Sequence, residues 1–180
     1  MKRILCLVLA LVAGMWFVRQ SSIVGAMAAA TEKNAFTPDD VQYGPAPPFV
    51  RRDLNGATVS LRAYRGKLVL LNFWATWCAP CRVELPQFAA WQKQYGPQGL
   101  QVIAVSMDDD AAPVREVVRK LVLRYPVLMG DAALGRSYGG VLGLPVTFLI
   151  ARDGIVAARF EGEGQLADME KKIAQRLGQH

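Results

Sequence analysis

The feature that most constrains this chain is a pair of cysteines placed where a buried strand gives way to a helix. Residues 68–75 are almost continuously apolar, which is typical of a strand covered on both faces of a sheet. Residues 79–95 follow with the apolar spacing of a helix, and Cys78 and Cys81 lie at the junction. Unpaired N–H groups and the helix dipole lower the pKa of a thiol at such a helix N-terminus. The pattern predicts a redox-active dithiol in which Cys78 attacks and Cys81, one turn inside the helix, resolves the mixed disulfide.

The number of cysteines argues against other uses of this pair. The chain has three cysteines, and Cys6 lies in the N-terminal segment, so the rest of the chain keeps one close pair. One pair is too few for a disulfide-rich scaffold and too few for a closed zinc site, which needs four ligands. A chain of 180 residues, 52% of them hydrophobic, can bury a full core without such reinforcement. We therefore expect chemistry at this pair, with no metal and no cofactor.

The first 30 residues have the three parts of an export signal. Lys2 and Arg3 precede an apolar run over residues 4–18, and small residues follow, with 26–28 as the candidate cleavage site. We predict that residues 1–30 are a signal peptide or an uncleaved membrane anchor, that 31–44 are a linker, and that 45–180 are the folded domain. The basic start stays in the cytoplasm, so the domain is expected on the periplasmic or other extracytoplasmic side of the inner membrane.

The charge of the chain does not indicate a nucleic-acid partner. The formal net charge is +6, and the three basic residues of the N-terminal segment leave only +3 for the rest. No basic stripe interleaved with aromatic residues is present in the sequence, as a nucleic-acid surface would require. We expect disulfide-bearing proteins as partners, no nucleic acid, and membrane contact only through the N-terminal segment if it is uncleaved.

The order of the predicted elements indicates an α/β fold. The predicted strands are 68–75, 100–107, 127–129, 146–151 and 155–160, and the predicted helices are 79–95, 112–123, 131–138 and 165–177. Asn55-Gly56, between two short apolar segments, predicts a hairpin ahead of them. This order implies a central mixed β-sheet with helices on both faces and an N-terminal β-hairpin extension.

Three segments carry a family resemblance: residues 45–49 (PAPPF), 66–86 (GKLVLLNFWATWCAPCRVELP) and 143–150 (GLPVTFLI). They resemble the thioredoxin superfamily, and most closely its exported, often membrane-tethered TlpA-like and ResA-like branch. The resemblance spans about 45–177 and implies a thioredoxin fold and a thiol-disulfide oxidoreductase activity. Most relatives are reductants kept reduced by a transmembrane electron-relay protein, and several reduce the haem-attachment cysteines of apocytochrome c during cytochrome c maturation.

The resemblance also implies how a substrate is held beside the dithiol. Pro145 corresponds to the cis-proline that faces the cysteines in this superfamily, and the Leu144 backbone would align the substrate segment. The substrate-binding residues expected around the cysteines themselves are Trp77, Ala79 and Pro80.

Glu84 is the expected proton-transfer residue. It lies three residues after Cys81, on the same helix face, and members of this branch often have an acid there. A nearby carboxylate raises the pKa of a thiol and can pass protons to or from Cys81. The alternative is an ordinary exposed acid. Asn72 stands where cytoplasmic thioredoxins usually have a buried aspartate, and because an amide cannot transfer that proton, the task would fall to Glu84 or water.

Three other functions use the same fold. A general envelope disulfide isomerase or oxidase would need the same residues, and the sequence does not separate it from a reductant. A thiol peroxidase of the peroxiredoxin type would need a threonine and a proline where this chain has Ala75 and Leu71. A copper-binding protein would resemble Cys-x-x-x-Cys with a distant histidine, whereas the one histidine of this chain is His180. Because most members of the branch that this chain resembles are reductants, we predict a reductant of envelope disulfides.

Overall fold

Strand β3 (Leu68–Trp74) is the centre of the sheet in the computed structural model, which describes residues 43–178. It runs parallel to β4 (Leu100–Ser106) on one side and antiparallel to β6 (Val146–Ile150) on the other. The short strand β5 (Val127–Met129) pairs in parallel with β4, and β7 (Val156–Glu161) pairs antiparallel with β6. The order β5-β4-β3-β6-β7 is the mixed sheet that the sequence predicts.

Four helices follow the predicted order among the described residues: α1 (Ala79–Tyr95), α2 (Ala111–Lys120), α3 (Ala132–Ser137) and α4 (Leu166–Leu177). Helices α1, α2 and α4 cover one face of the sheet, and α3 contributes to the core on the other face. Alternate residues of β3 enter the two cores, which explains why the whole strand is apolar apart from Asn72.

The N-terminal part of the domain forms the predicted hairpin. Strands β1 (Val50–Arg52) and β2 (Thr58–Ser60) pair antiparallel, and Gly56 in their connection has a φ of +87°, which glycine adopts without steric cost. Hydrophobic residues of this region, Phe49, Val59 and Leu61, complete the core on the α3 face of the sheet.

The structure differs from the sequence prediction mainly at element ends. Helix α2 ends at Lys120 rather than at residue 123, and Val122 has a φ of +51°, which is incompatible with a continuing right-handed helix. Two short 3₁₀ turns, Leu61–Tyr64 and Gly96–Gln98, were not predicted.

The predicted export segment and nearly all of the predicted linker lie outside the described residues, so these assignments stay predictions. Within residues 43–178 no helix is both long enough and apolar enough to cross a membrane.

Candidate active site

The cysteine pair lies at the beginning of α1, directly after the central strand. Cys78 is the N-cap residue, with an extended backbone, and its N–H donates to the Ala75 carbonyl at 3.2 Å. Its sulfur accepts the Cys81 backbone N–H at 3.3 Å. Pro80 lies in the first turn, where a helix has no use for its missing N–H. The predicted junction of strand and helix is therefore present, with an N–H group of the helix directed at the Cys78 sulfur.

The two cysteines are joined by a disulfide bond, and both are nearly buried. Cys78 exposes 5% of its surface and Cys81 exposes 1%. Cys78 is thus the more exposed of the two, as expected for the outer sulfur. The difference in exposure is smaller than the position of Cys78 at the end of a helix suggests. The reason is that both side chains belong to the apolar core between α1 and the sheet.

The segment before β6 also reaches this core. The Leu144–Pro145 peptide bond is cis, as the family resemblance implies, and Pro145 is buried. Leu144 is half-buried and packs against both cores, including the one that contains the cysteines. The structure thus brings Leu144 and the dithiol to one cluster, while the role of this segment in binding a substrate stays a prediction.

Exposed apolar side chains accompany the dithiol in sequence. Trp77 is 72% exposed and Ala79 is exposed, whereas Pro80 is half-buried. Val83, on the first turns of α1, is also largely exposed. Trp74, by contrast, lies entirely in the core. Of the two neighbouring tryptophans, only Trp77 can meet another molecule.

Glu84 is the one buried acidic side chain among residues 43–178, so its interpretation as an exposed surface acid is wrong. It exposes 3% of its surface, and neither carboxylate oxygen has a hydrogen-bond partner in the described part of the chain. Burial raises the pKa of Glu84 to about 7, and the negative charge of Glu163 adds to this shift. A carboxyl group with this pKa can both accept and release a proton near neutral pH.

Asn72 occupies the buried position expected for it. It is 1% exposed, and its side-chain N–H donates to the Thr147 hydroxyl on the neighbouring strand at 2.9 Å. This contact holds two adjacent strands together but offers no group that titrates. Glu84 is therefore the better candidate for proton transfer.

A hydrogen-bond network around Asp108 was missed by the sequence prediction. The Asp108 carboxylate accepts the Thr76 backbone N–H at 2.9 Å and the Thr76 hydroxyl at 2.6 Å. It also accepts the Ser106 hydroxyl at 2.7 Å. A signal was available, because residues that follow two adjacent parallel strands meet at the same edge of a sheet.

Within residues 43–178, no three His, Cys, Asp or Glu side chains are grouped as a metal site would require. The groups that the described site offers are two sulfurs, one buried carboxyl group and the backbone N–H groups of a helix.

Comparisons with known proteins identify the family and several relatives of this chain. Residues 44–159, which include both cysteines, Glu84 and Pro145, match the model of the AhpC/TSA family. The chain is 37% identical over 131 residues to the thiol-disulfide oxidoreductase ResA of Bacillus thuringiensis subsp. konkukian, with 71% of this chain and 76% of the relative covered. It is 35% identical over 131 residues to the thioredoxin-like protein YneN of Bacillus subtilis, with the same coverage.

A solved structure of a related protein is also similar to this chain. The crystal structure of a thiol:disulfide interchange protein of the thioredoxin family from Chlorobium tepidum superposes with a TM-score of 0.70 and 30% sequence identity. The match covers 77% of this chain and 99% of that one. The overall fold of this chain therefore has a counterpart of known architecture.

Proposed function

Because this chain belongs to the AhpC/TSA family and to the thiol-disulfide oxidoreductases of the ResA type, we propose that it reduces disulfide bonds of proteins outside the cytoplasm. The predicted thioredoxin fold and enzyme class are confirmed by these similarities. The observation that carries the proposal is the Cys78–Cys81 disulfide at the N-cap of α1. Apocytochrome c is the leading client, and a transmembrane electron-relay protein is the source of electrons.

In the proposed reaction, the reduced enzyme passes two electrons to the client. The Cys78 thiolate attacks one sulfur of the client disulfide, that S–S bond breaks, and the departing client sulfur takes up a proton. Cys81 then loses its proton and attacks Cys78, which releases the second client sulfur as a thiolate that is protonated in turn. The enzyme is left with the disulfide observed here. Two electrons and two protons from the relay protein restore the dithiol.

Glu84 is proposed to take the proton from Cys81 in the second step. Cys81 is almost completely buried, so water has little access to its thiol. Glu84 follows one turn later on the same helix and is itself buried, with a pKa of about 7. At that pKa the carboxylate is available in neutral solution and is more basic than an ordinary glutamate.

A protein substrate is supported by apolar groups on the surface around the site. Trp77 and Val83 are more than two thirds exposed, and Leu142 is fully exposed on the segment that leads to Leu144 and Pro145. Exposed apolar groups around a functional site favour contact with another protein. Gly139 and Gly140 both have positive φ angles, so the backbone that presents Leu142 depends on glycine.

We expect Leu142→Ser to weaken reduction of a protein disulfide without changing reduction of a small one. Loss of an apolar contact of this size should lower kcat/KM for insulin about tenfold, which corresponds to about 1.4 kcal/mol. The rate with the aromatic disulfide DTNB should stay at the wild-type value, because that molecule needs no extended contact. Val50→Ser is the matched control, since Val50 is also exposed but lies on the hairpin. Equal losses with both substrates would contradict a client-binding role for Leu142.

The direction of electron flow is tested by the reduction potential of the Cys78–Cys81 couple. Equilibration against glutathione should give a value toward the thioredoxin end of the known range, about −270 mV. A potential near about −120 mV, as in strong oxidants, would instead indicate a disulfide donor or isomerase and would remove the assignment to apocytochrome c.

A further inference from the structure

The turn that delivers Cys78 to the helix is held from the side by one carboxylate. Residues 75–78 connect the central strand to α1, and the Cys78 N–H closes this turn on the Ala75 carbonyl. Thr76, inside the turn, gives both its backbone N–H and its hydroxyl to Asp108. Ala75 and Cys78, at the two ends of the turn, are buried in the core, whereas Trp77 in its middle is 72% exposed. The contacts of Thr76 to Asp108 are therefore what holds the middle of the turn.

Asp108 is itself fixed to the sheet. Ser106, the last residue of β4, is completely buried; its hydroxyl donates to the Asp108 carboxylate at 2.7 Å and accepts the Asp108 backbone N–H at 3.1 Å. The Met107 N–H donates to the Trp74 carbonyl at 2.8 Å, and Ser106 is the register partner of Trp74. The carboxylate thus joins the active-site turn to the parallel pair β3–β4.

We propose that Asp108 is a positioning residue for the dithiol: by holding Thr76 it fixes the turn that aims the Cys78 sulfur at the first N–H groups of α1. This inference rests on the proposed function, because it concerns the same dithiol, and it adds a residue that sets the reactivity of Cys78. The Cys78 thiolate is stabilised by those N–H groups, one of which already lies 3.3 Å from the sulfur in the disulfide form. A looser turn weakens this stabilisation.

The direction in which the pKa of Cys78 changes distinguishes a positioning role of Asp108 from the effect of its negative charge. Loss of alignment destabilises the thiolate, which raises the pKa of Cys78 and shifts the couple toward the disulfide. Loss of a nearby negative charge does the opposite, because a thiolate is repelled by a carboxylate. Thr76→Val is therefore the decisive variant: it removes the hydroxyl bond to Asp108 while leaving Asp108, Glu84 and Glu163 unchanged.

The experiment uses the full-length chain carrying Cys6→Ser, so that the dithiol supplies the only thiols. The pH dependence of iodoacetamide alkylation, followed by mass spectrometry of the peptide that contains Cys78, gives the pKa of that thiol. Equilibration with glutathione gives the dithiol–disulfide equilibrium constant. Thr76→Ser keeps the hydroxyl and serves as the conservative variant, and Thr58→Val, at an exposed position of strand β2, is the matched control.

Thr76→Val should raise the pKa of Cys78 by about half a unit, a change of about threefold in the ionisation constant. The glutathione equilibrium should move about threefold toward the disulfide, while Thr76→Ser and Thr58→Val stay at the parent values. If Thr76→Val leaves both quantities unchanged, or if Thr76→Ser changes them equally, the proposal is overturned. A variant that is only less stable would lower the unfolding temperature without moving either quantity.

Ser106→Ala provides a second test if Thr76→Val does not fold. It removes the hydroxyl that ties Asp108 to β4, and the same rise in the pKa of Cys78 is expected; an unchanged pKa would overturn the proposal. Reduction of insulin by the parent chain is measured alongside. A parent that fails to reduce insulin contradicts the proposed function, whereas a parent that reduces insulin with no response to Thr76→Val contradicts only the role of Asp108.

Discussion

Cys78→Ser is expected to abolish the reduction of insulin disulfides, to at least about a thousandfold below the wild type. A serine hydroxyl in place of the attacking thiol cannot form the mixed disulfide with which exchange begins. The effect should be all-or-none because the second sulfur, Cys81, exposes only 1% of its surface and cannot take over the attack. The measurement is the rate of insulin precipitation with dithiothreitol as reductant.

Cys81→Ser should instead trap client proteins as mixed disulfides. The attacking sulfur is present in this variant, but no second thiol is available to release the client. Non-reducing electrophoresis should therefore show adducts that disappear on reduction, and Cys78→Ser serves as the control that forms none. If the Cys78 variant traps clients and the Cys81 variant does not, the assignment of the attacking sulfur is reversed.

Glu84→Gln is expected to slow the resolving step about 100-fold at pH 8, at the lower end of what a positioned general base contributes. In the wild type the rate of this step should fall as the pH drops through about 7, because Glu84 becomes protonated there. In the variant this dependence should disappear. Stopped-flow release of a labelled peptide from its mixed disulfide with Cys78 measures the step directly.

Although Glu84→Gln should be slower in exchange, it should be more stable to unfolding at alkaline pH. The pKa of Glu84 is raised on folding, so the folded state disfavours the carboxylate, and stability present at low pH is lost as the pH rises toward about 7. Glu84→Gln should therefore be more stable than the wild type at pH 8 by about 3 kcal/mol, at about 1.4 kcal/mol for each unit by which burial raises the pKa of Glu84.

At pH 4 the two proteins should be about equally stable, because Glu84 is then protonated in both states. Urea denaturation at the two pH values measures this difference, and Asp109→Asn, which removes an exposed acid, should show none. If wild type and Glu84→Gln have the same free energy of unfolding at both pH values, and the same pH profile for the resolving step, Glu84 is not the proton-transfer group.

The local sequence was sufficient for the elements that carry the cysteines. The apolar run before Cys78 is typical of a strand covered on both faces, and it forms one. Helix α1 and strand β5 have the predicted bounds because their ends coincide with clear changes of pattern. Helix α2 was predicted too long, because its apolar spacing continues past the point where Val122 turns the backbone.

The parts of the site that depend on tertiary contacts could not be predicted from the sequence to the same extent. Helical spacing places Glu84 on the face of Cys81, but only the folded chain shows that this face is covered and the carboxyl group buried. Asp108 is the first of three consecutive aspartates, and its contact to Thr76 spans 32 positions of sequence. Such a contact follows from the parallel pairing of β3 and β4 rather than from any local pattern.

The unequal burial of the two sulfurs also has a consequence for damage by oxidants. A peroxide that reaches the reduced site meets Cys78 first and converts it to a sulfenic acid, which further oxidant would carry to irreversible acids. Cys81, one turn away and shielded from solvent, condenses with the sulfenic acid and yields the disulfide seen here, with loss of water. The product is then the ordinary disulfide form of the enzyme, the form that the proposed electron donor would reduce.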